Sequence, residues 1–405
     1  MNNYYKYFPL LSKTVDGMPI TYLDSASTTP KPRSVIDAVN HYYTNLGANV
    51  HRGVHPLSEG TTEAFEHARY AVAAMIGASP SEIIFTRNAT ESFNLIAHCI
   101  GLEKNDEIVL AASEHHSNML PWQHKARLKI IDLDDDGVAK WEQAKELLNP
   151  QTRLLTIGHI SNVTGVIAPV PELVALAHSH GVPVMIDAAQ SISHLAVNVK
   201  KIGCDFMGFS SHKMFGPSGV GVLYVNKDKY NKLSLFNIGG GMIKEATTSH
   251  FIALEPPFAY ESGTPNIEGV IGYGAAVNFI TQIGFDKITN HNRVWGEYCV
   301  KAISSLPGVR VMGGKTPSIQ RTSICSFAFD DCLLSPTQLG HLLANTHGMY
   351  ISAGTHCTHV LHKQTQFPAT MRISGHIFND TSDIDRLVSA LREYLENPSK
   401  YQHQQ

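Results

Sequence analysis

Between residues 82 and 225 the chain alternates short apolar runs with stretches of helical periodicity. The runs 82–86, 107–111, 129–133, 152–157, 182–187, 203–209 and 220–225 are predicted to be strands. They are continuous rather than alternating, so both faces are expected to be buried. The periodic segments between them are predicted helices. One runs 58–76 and is ended by Gly77, one starts at Thr90 and carries Phe93, Leu95 and Ile96, and one spans 170–180 before Gly181. Pro32 opens an earlier helix with Val35, Ile36, Val39 and Tyr43 on one face, after a short strand at 20–24. This pattern predicts an α/β fold, a mainly parallel sheet with helices on both faces.

After about residue 265 the rhythm changes. Helices at 267–282 and through Ile303 lead to strands at 309–311, 323–329, 349–352 and 370–374. A helix at 336–346 lies among them, and Asp380 or Thr381 caps a last helix carrying Ile384, Leu387, Val388 and Leu391. This reads as a smaller α+β domain. The expected division is an N-terminal segment 1–25 packing with the small domain, a large domain 26–280 and a small domain 281–400. The Gln-rich end after Tyr401 reads as frayed.

Composition narrows the function classes. Hydrophobic residues make up 43% and charged residues 17% of 405, as in a globular protein with a large core. The net charge of −3 offers no electrostatic reason for a nucleic-acid or membrane partner. No cationic segment followed by an apolar one stands at the start, and no run is long enough to span a bilayer. Six scattered cysteines without CxxC pairs read as reduced thiols, hence a cytoplasmic protein. The 22 histidines raise the question of metal. However, His51 and His55 lack the Glu of a metalloprotease helix, and the cluster His356, Cys357, His359, His362 matches no standard zinc spacing, so no metal is expected.

Candidate chemistry concentrates where strands end. Ser210-Ser211-His212-Lys213 follows one predicted strand and precedes a Gly-Pro-Ser-Gly turn. A lysine amine condenses with aldehydes, and hydroxyl and imidazole donors hold phosphate, which suggests pyridoxal phosphate. Four such residues also make an ordinary surface loop. The other strand ends carry His115, Asn162, Asp187 and Gln190, and ligands bind at those ends of parallel sheets.

Taken in order, these blocks resemble the class V (fold type I) pyridoxal phosphate enzymes, and within them the SUF-type, or group II, cysteine desulfurases. The matching stretches are Tyr22-Leu23-Asp24-Ser25-Ala26, Val50-His51-Arg52-Gly53-Val54-His55, Glu114-His115-His116, Ser161-Asn162-Val163, Asp187-Ala188-Ala189-Gln190, Ser210-Ser211-His212-Lys213, Glu261-Ser262-Gly263-Thr264-Pro265-Asn266 and Gly354-Thr355-His356-Cys357. The resemblance implies a seven-stranded-type sheet and one role per matched position. Lys213 would hold the cofactor as a Schiff base and move protons at the substrate α-carbon. Asp187 would pair with the ring nitrogen, and Gln190 and Asn162 would contact the phenolate region. His115 would stack on the ring and assist catalysis. Thr90, Ser210 and His212 would hold the phosphate, with Ala89 where the family often has a second threonine. Thr264 would reach the phosphate of a neighbouring subunit in a homodimer, with His51 and Arg52 near that border. Arg372 would bind the substrate carboxylate, near Asn162 and Ala26. Cys357 would take the sulfur of L-cysteine as a persulfide, releasing alanine and supplying a sulfur-acceptor protein, for iron–sulfur cluster assembly or another sulfur-transfer pathway.

Two positions beside Cys357 depart from the group II pattern. Ser352 stands for an arginine and Thr355 for a histidine, so that 352–358 partly resembles group I. These changes leave other substrates open: a selenocysteine lyase, a C–S lyase or an epimerase. A silent member acting as a partner protein is the non-enzymatic alternative.

Overall fold

All seven apolar runs of the first two thirds enter one sheet. Its strands are β1 (Ile83–Thr86), β2 (Glu107–Ala111), β3 (Arg127–Ile131), β4 (Thr152–Gly158), β5 (Val184–Asp187), β6 (Phe206–Ser210) and β7 (Gly221–Val225). Across the sheet the order is β1-β7-β6-β5-β4-β2-β3, and β7 alone runs antiparallel to its neighbours. The structure, a computed structural model, describes residues 4–330 and 332–398, so the end after Tyr401 lies outside the described residues. Every residue of β5, β6 and β7 is buried, which is why these strands lack alternation.

Helices, the first of them α1 (Arg33–His41), cover both faces of this sheet. Val109, Ile186, Met207 and Val222 point into one core with Phe65 and Val72 of α2 (Pro56–Ile76) and Tyr273 of a later helix, Ile267–Ile283. Their strand neighbours Ile108, Met185, Phe206 and Leu223 point into the other, with Phe93 and Ile96 of α3 (Ala89–Cys99) and with Trp122. The two-residue period of a strand produces this division.

The C-terminal part builds a second, antiparallel sheet. Its strands β8 (Val309–Val311), β9 (Ile324–Phe329), β10 (Ser352–Gly354) and β11 (Thr370–Ser374) lie in the order β8-β9-β11-β10. Trp295, Cys299 and Ile303 from the helix Phe285–Ser304 and Leu387 and Leu391 from the helix Thr381–Glu396 form its core. The N-terminal segment touches both bodies. Phe8, Leu11 and Ile20 join the large core, Leu23 joins the small one, and Thr21–Tyr22 pairs in parallel with Met349–Tyr350.

Several boundaries move, each for a local reason. The strand expected at 203–209 starts at Phe206, because Gly203 (φ +78°) closes the short helix Val199–Ile202. The strand expected at 182–187 starts at Val184, because the Val182 N–H is still bonded to Ala177 O. The strand expected at 129–133 lies at Arg127–Ile131, in register with Glu107–Ala111. The strand expected at 349–352 is two pieces, one pairing with Thr21–Tyr22 and the other, β10, with β11. Tyr42 rather than Tyr43 is buried, where the helix Arg33–His41 passes into a π-turn at Tyr42–Leu46. The helix predicted from Thr90 starts one residue earlier, capped by the Asn88 side chain accepting from Glu91 N–H.

Candidate active site

A cavity of about 440 Å³ opens at the C-terminal edge of β2, β4, β5 and β6, and residues of the second sheet close one side of it. Ala26, Thr90, His115, Asn162, Asp187, Gln190, Ser210, His212, Lys213, Cys357 and Arg372 all line it. Thr264 does not. It is exposed and lines a separate surface cleft with His51 and Arg52.

The floor is set by strand ends. Asp187 is the last residue of β5, and its Oδ1 accepts the Ala189 N–H at 2.9 Å. Burial raises its carboxyl above the usual range, while that bond and then Lys213 draw it back. Lys213 ends the short turn after β6, and burial lowers the affinity of its amine for a proton, with Asp187 opposing. The amine without its proton is the nucleophilic form, and burial shifts the balance toward it. Gln190 Nε2 donates to Ala26 O at 2.9 Å, which ties the N-terminal segment to the cavity wall.

One end of the cavity suits an anion. The α3 helix begins at Ala89, and Ser210 Oγ accepts the Ala89 N–H at 2.8 Å. Thr90 Oγ1 lies 2.7 Å from Ser117 Oγ. N–H groups at a helix start attract negative charge. Burial first, then Lys213 and Lys31, push the His212 ring down to about 4, so it is neutral near pH 7. His115 is held down to about 3, mainly by burial, and its Nδ1 accepts the Ser117 N–H at 3.1 Å. The flat, neutral His115 ring can therefore lie against another ring without repelling a protonated one.

The opposite wall comes from the small body. Arg372 lies within β11, where Nη1 donates to Asn162 O at 3.1 Å and Nη2 to Ser27 Oγ at 2.6 Å and Asp24 Oδ1 at 3.3 Å. Among the described residues its buried Nε–H has no partner, a donor left for a ligand. Cys357 is exposed on the turn after β10, with φ of +58°, and His356 beside it has φ of +49°. Asn162 Nδ2 donates to His356 O at 2.9 Å, and the His116 N–H donates to Cys357 O at 2.9 Å. The Asn162 amide, expected at the ring, is thus engaged with the Cys357 turn. The nearby histidines face different partners: His356 Nε2 lies 3.0 Å from Thr370 Oγ1, and His359 stacks on His116.

Some site residues had no role in the sequence reading. Ser27 and Asp24 orient Arg372 from the N-terminal segment; Asp24 lies in the matched stretch 22–26, which was the available signal, and Ser27 directly follows it. Lys31 donates to His212 O at 2.9 Å and to Thr29 O at 2.6 Å, bracing the Lys213 turn, and no local pattern marked it.

These groups fit pyridoxal phosphate. The buried lysine amine suits its aldehyde, the buried aspartate its ring nitrogen, and the α3 N-terminus its phosphate. A strand-end lysine and a buried aspartate in this sheet define a fold type I pyridoxal phosphate enzyme. The chain belongs to the aminotransferase class-V family, whose model matches residues 21–387. It is 39% identical over 400 residues to a probable cysteine desulfurase of Halalkalibacterium halodurans, covering 96% of this chain and 97% of that one. Its fold is similar to the apo structure of a cysteine desulfurase from Thermococcus onnurineus, with a TM-score of 0.91, 33% identity and 97% of each chain covered. It is also similar to the Escherichia coli cysteine desulfurase CsdA, with a TM-score of 0.87, 32% identity and 97% and 98% covered.

Proposed function

We propose that the protein is a pyridoxal phosphate-dependent cysteine desulfurase that converts L-cysteine to L-alanine and leaves a persulfide on Cys357. The observation that carries this reading is the exposed Cys357 thiol on the rim of the cavity that also holds Lys213 and Arg372. Relatives named cysteine desulfurases support it. When bound, the cofactor holds the substrate amine and stabilises negative charge at the α-carbon.

The remaining work belongs to the chain. The Arg372 guanidinium, through its unpartnered Nε–H, receives the substrate carboxylate and so orients the thiol group toward Cys357. Lys213, its proton affinity lowered by burial, takes the α-proton and returns it. The Cys357 thiolate attacks the substrate sulfur and forms the S–S bond. The C–S bond breaks with its electron pair left on Cβ, which takes up a proton equivalent to the one the Cys357 thiol gave up, and return of the α-proton from Lys213 completes alanine. Neutral His115, which lines the cavity, would lie against the cofactor ring without adding a positive charge.

Thr264, exposed beside His51 and Arg52, completes the phosphate site of a second copy in a homodimer. Residues 26–280 form the cofactor-binding domain, and 281–400 form the domain that brings Cys357 and Arg372 to it. The persulfide passes to an acceptor protein in the cytoplasm for sulfur-transfer chemistry. No helix among the described residues is long and apolar enough to cross a membrane.

The test is to incubate the purified holoenzyme with L-cysteine and a thiol reductant, then measure alanine, sulfide and the mass of the Cys357 peptide. Alanine, sulfide and one added sulfur on Cys357 are expected. Absence of alanine, or full sulfide release by Cys357→Ala, overturns the reading.

A further inference from the structure

Beside Asp187 stands a second buried carboxyl group that the desulfurase reading leaves without a task. Glu114 follows β2, and its Oε1 accepts the Gly158 N–H at 2.9 Å. Gly158 is the register partner of Asp187 on the adjoining strand. A Cβ at position 158 would meet Glu114 Oε2 at 3.0 Å, so the bare backbone there admits the carboxyl group next to the Asp187 strand end. Glu114 is 4% exposed and lines the same cavity.

The surrounding hydrogen bonds bear on its chemical form. An indole N–H can only donate. Trp122 Nε1 donates to Asn118 Oδ1 at 3.3 Å, and the Thr156 hydroxyl donates to the same oxygen at 2.6 Å. The amide is thereby oriented with Nδ2 toward Glu114 Oε2, at 2.6 Å. Both Glu114 oxygens accept, an arrangement that favours the ionised form over the protonated one. Among the described residues it forms no ion pair. Burial, with Asp187 adding to it and the Gly158 and Asn118 bonds opposing, pushes this carboxyl up to about 8, so its ionised form near pH 7 needs a cation beside it. Two neighbouring buried carboxylates are costly unless a cation joins them.

We propose that Glu114 is a positioning residue for the cofactor ring, acting through Asp187 to raise the proton affinity of the ring nitrogen and keep it protonated. The inference rests on the reading of Asp187 as the partner of that nitrogen. A second negative charge stabilises the protonated ring and so raises its pKa; removing the charge lowers it. A unit charge several ångströms away in a protein interior produces a shift on the order of one pH unit.

The experiment uses holoenzyme loaded with pyridoxal phosphate labelled with nitrogen-15 in the ring, whose NMR shift reports protonation directly as pH is varied. In Glu114→Gln the ring nitrogen should lose its proton on the order of one pH unit lower than in wild type. That variant also sets an amide donor against a donor, so it can fail to fold. The exchange Glu114→Gln/Asn118→Asp restores donor–acceptor order, because the new amide donates to a carboxylate that still accepts from Trp122 and Thr156. It moves the charge one residue farther from Asp187. Its ring nitrogen should titrate between the wild-type and Glu114→Gln values, and below wild type if the single variant does not fold. A double exchange that titrates like wild type overturns the proposal and leaves Glu114 a structural part only. An unchanged titration in a folded Glu114→Gln overturns it equally. Asp187→Asn separates the two levels. If it leaves the titration unchanged, the assignment of Asp187 itself fails; if it lowers the value while the Glu114 variants do not, only this inference fails.

Discussion

The turn that ends in Lys213 and the turn that carries Cys357 share one cavity and are built in opposite ways. The Lys213 turn is braced on every side. Ser211 N–H is bonded to Val220 O, Met214 N–H to Ser211 O, and Ser211 Oγ to Pro217 O. The His212 carbonyl accepts from Thr29 N–H, from the Thr28 and Thr29 hydroxyls and from Lys31 Nζ. Met214 and Phe215 beside it are fully buried. The Cys357 turn is exposed and holds two consecutive non-glycine residues at positive φ, a conformation that costs each roughly 1–2 kcal/mol. The carbonyls of those two residues are held by Asn162 Nδ2 and His116 N–H. Rigid support suits a group that must present an amine at one fixed place. A strained, solvent-facing turn suits a thiol that takes sulfur inside a cavity and gives it up outside.

The largest expected effect comes from removing the rigid side of this contrast. Lys213→Ala should abolish the lysine-bound cofactor absorbance and lower alanine formation by about 10⁴-fold, the upper range for a residue that moves protons. Spectra and single-turnover assays check both. Cys357→Ala should break the other side alone. The absorbance should persist, while alanine formation from L-cysteine falls on the order of 10³-fold and no persulfide mass is found. If the variant instead retains its rate on L-cysteine, a lyase chemistry that needs no thiol is the better description.

How the two regions could be read from sequence follows from the same contrast. The Lys213 bed was legible because its parts sit at the ends of continuous apolar strands. Asp187 ends β5, Lys213 follows β6 and His115 follows β2, each with a local signal. Bonds between distant segments were not legible. The Asn162 amide holds His356 across 194 positions, and Arg372 holds Ser27 across 345. Nothing near Asn162 or Ser27 in the chain encodes either partner. The break at Ile351 was also hidden. An unbroken apolar stretch gives no sign that Met349–Tyr350 pairs with the N-terminal segment and Ser352–Gly354 with β11. Thr264 stays outside the cavity of a single chain, so the phosphate role proposed for it requires a second copy.

Arg372 joins the two regions, and its exchange should fall next in size. Lysine keeps the charge but cannot supply Nε–H while also holding Asn162 O, Ser27 and Asp24. Losing a charge-assisted hydrogen bond costs about 1.5–3 kcal/mol, so kcat/KM for L-cysteine should drop about 10- to 100-fold in Arg372→Lys. Steady-state kinetics should place most of that in KM, because the reacting amine and thiol are untouched.

The smallest effect isolates the backbone of the Cys357 turn. Gly354 has φ of +125°, which an L-residue rarely adopts, and a Cβ built there meets no atom within 4 Å. Gly354→Ala therefore adds no clash, and its whole cost is conformational, about 1–3 kcal/mol. If the positive-φ conformation serves only stability, the melting temperature should fall and the rate of persulfide formation should stay constant. If it presents Cys357 to the cavity, the alanine backbone should relax the turn. Persulfide formation should then slow several-fold while the lysine-bound absorbance is unchanged. The structure favours the second outcome, because β10 ends at Gly354 and the next residues with positive φ are His356 and Cys357 themselves. Rapid-quench measurement of the Cys357 persulfide beside a thermal melt separates the two, and an unslowed persulfide step would remove the functional half of the contrast between the two turns.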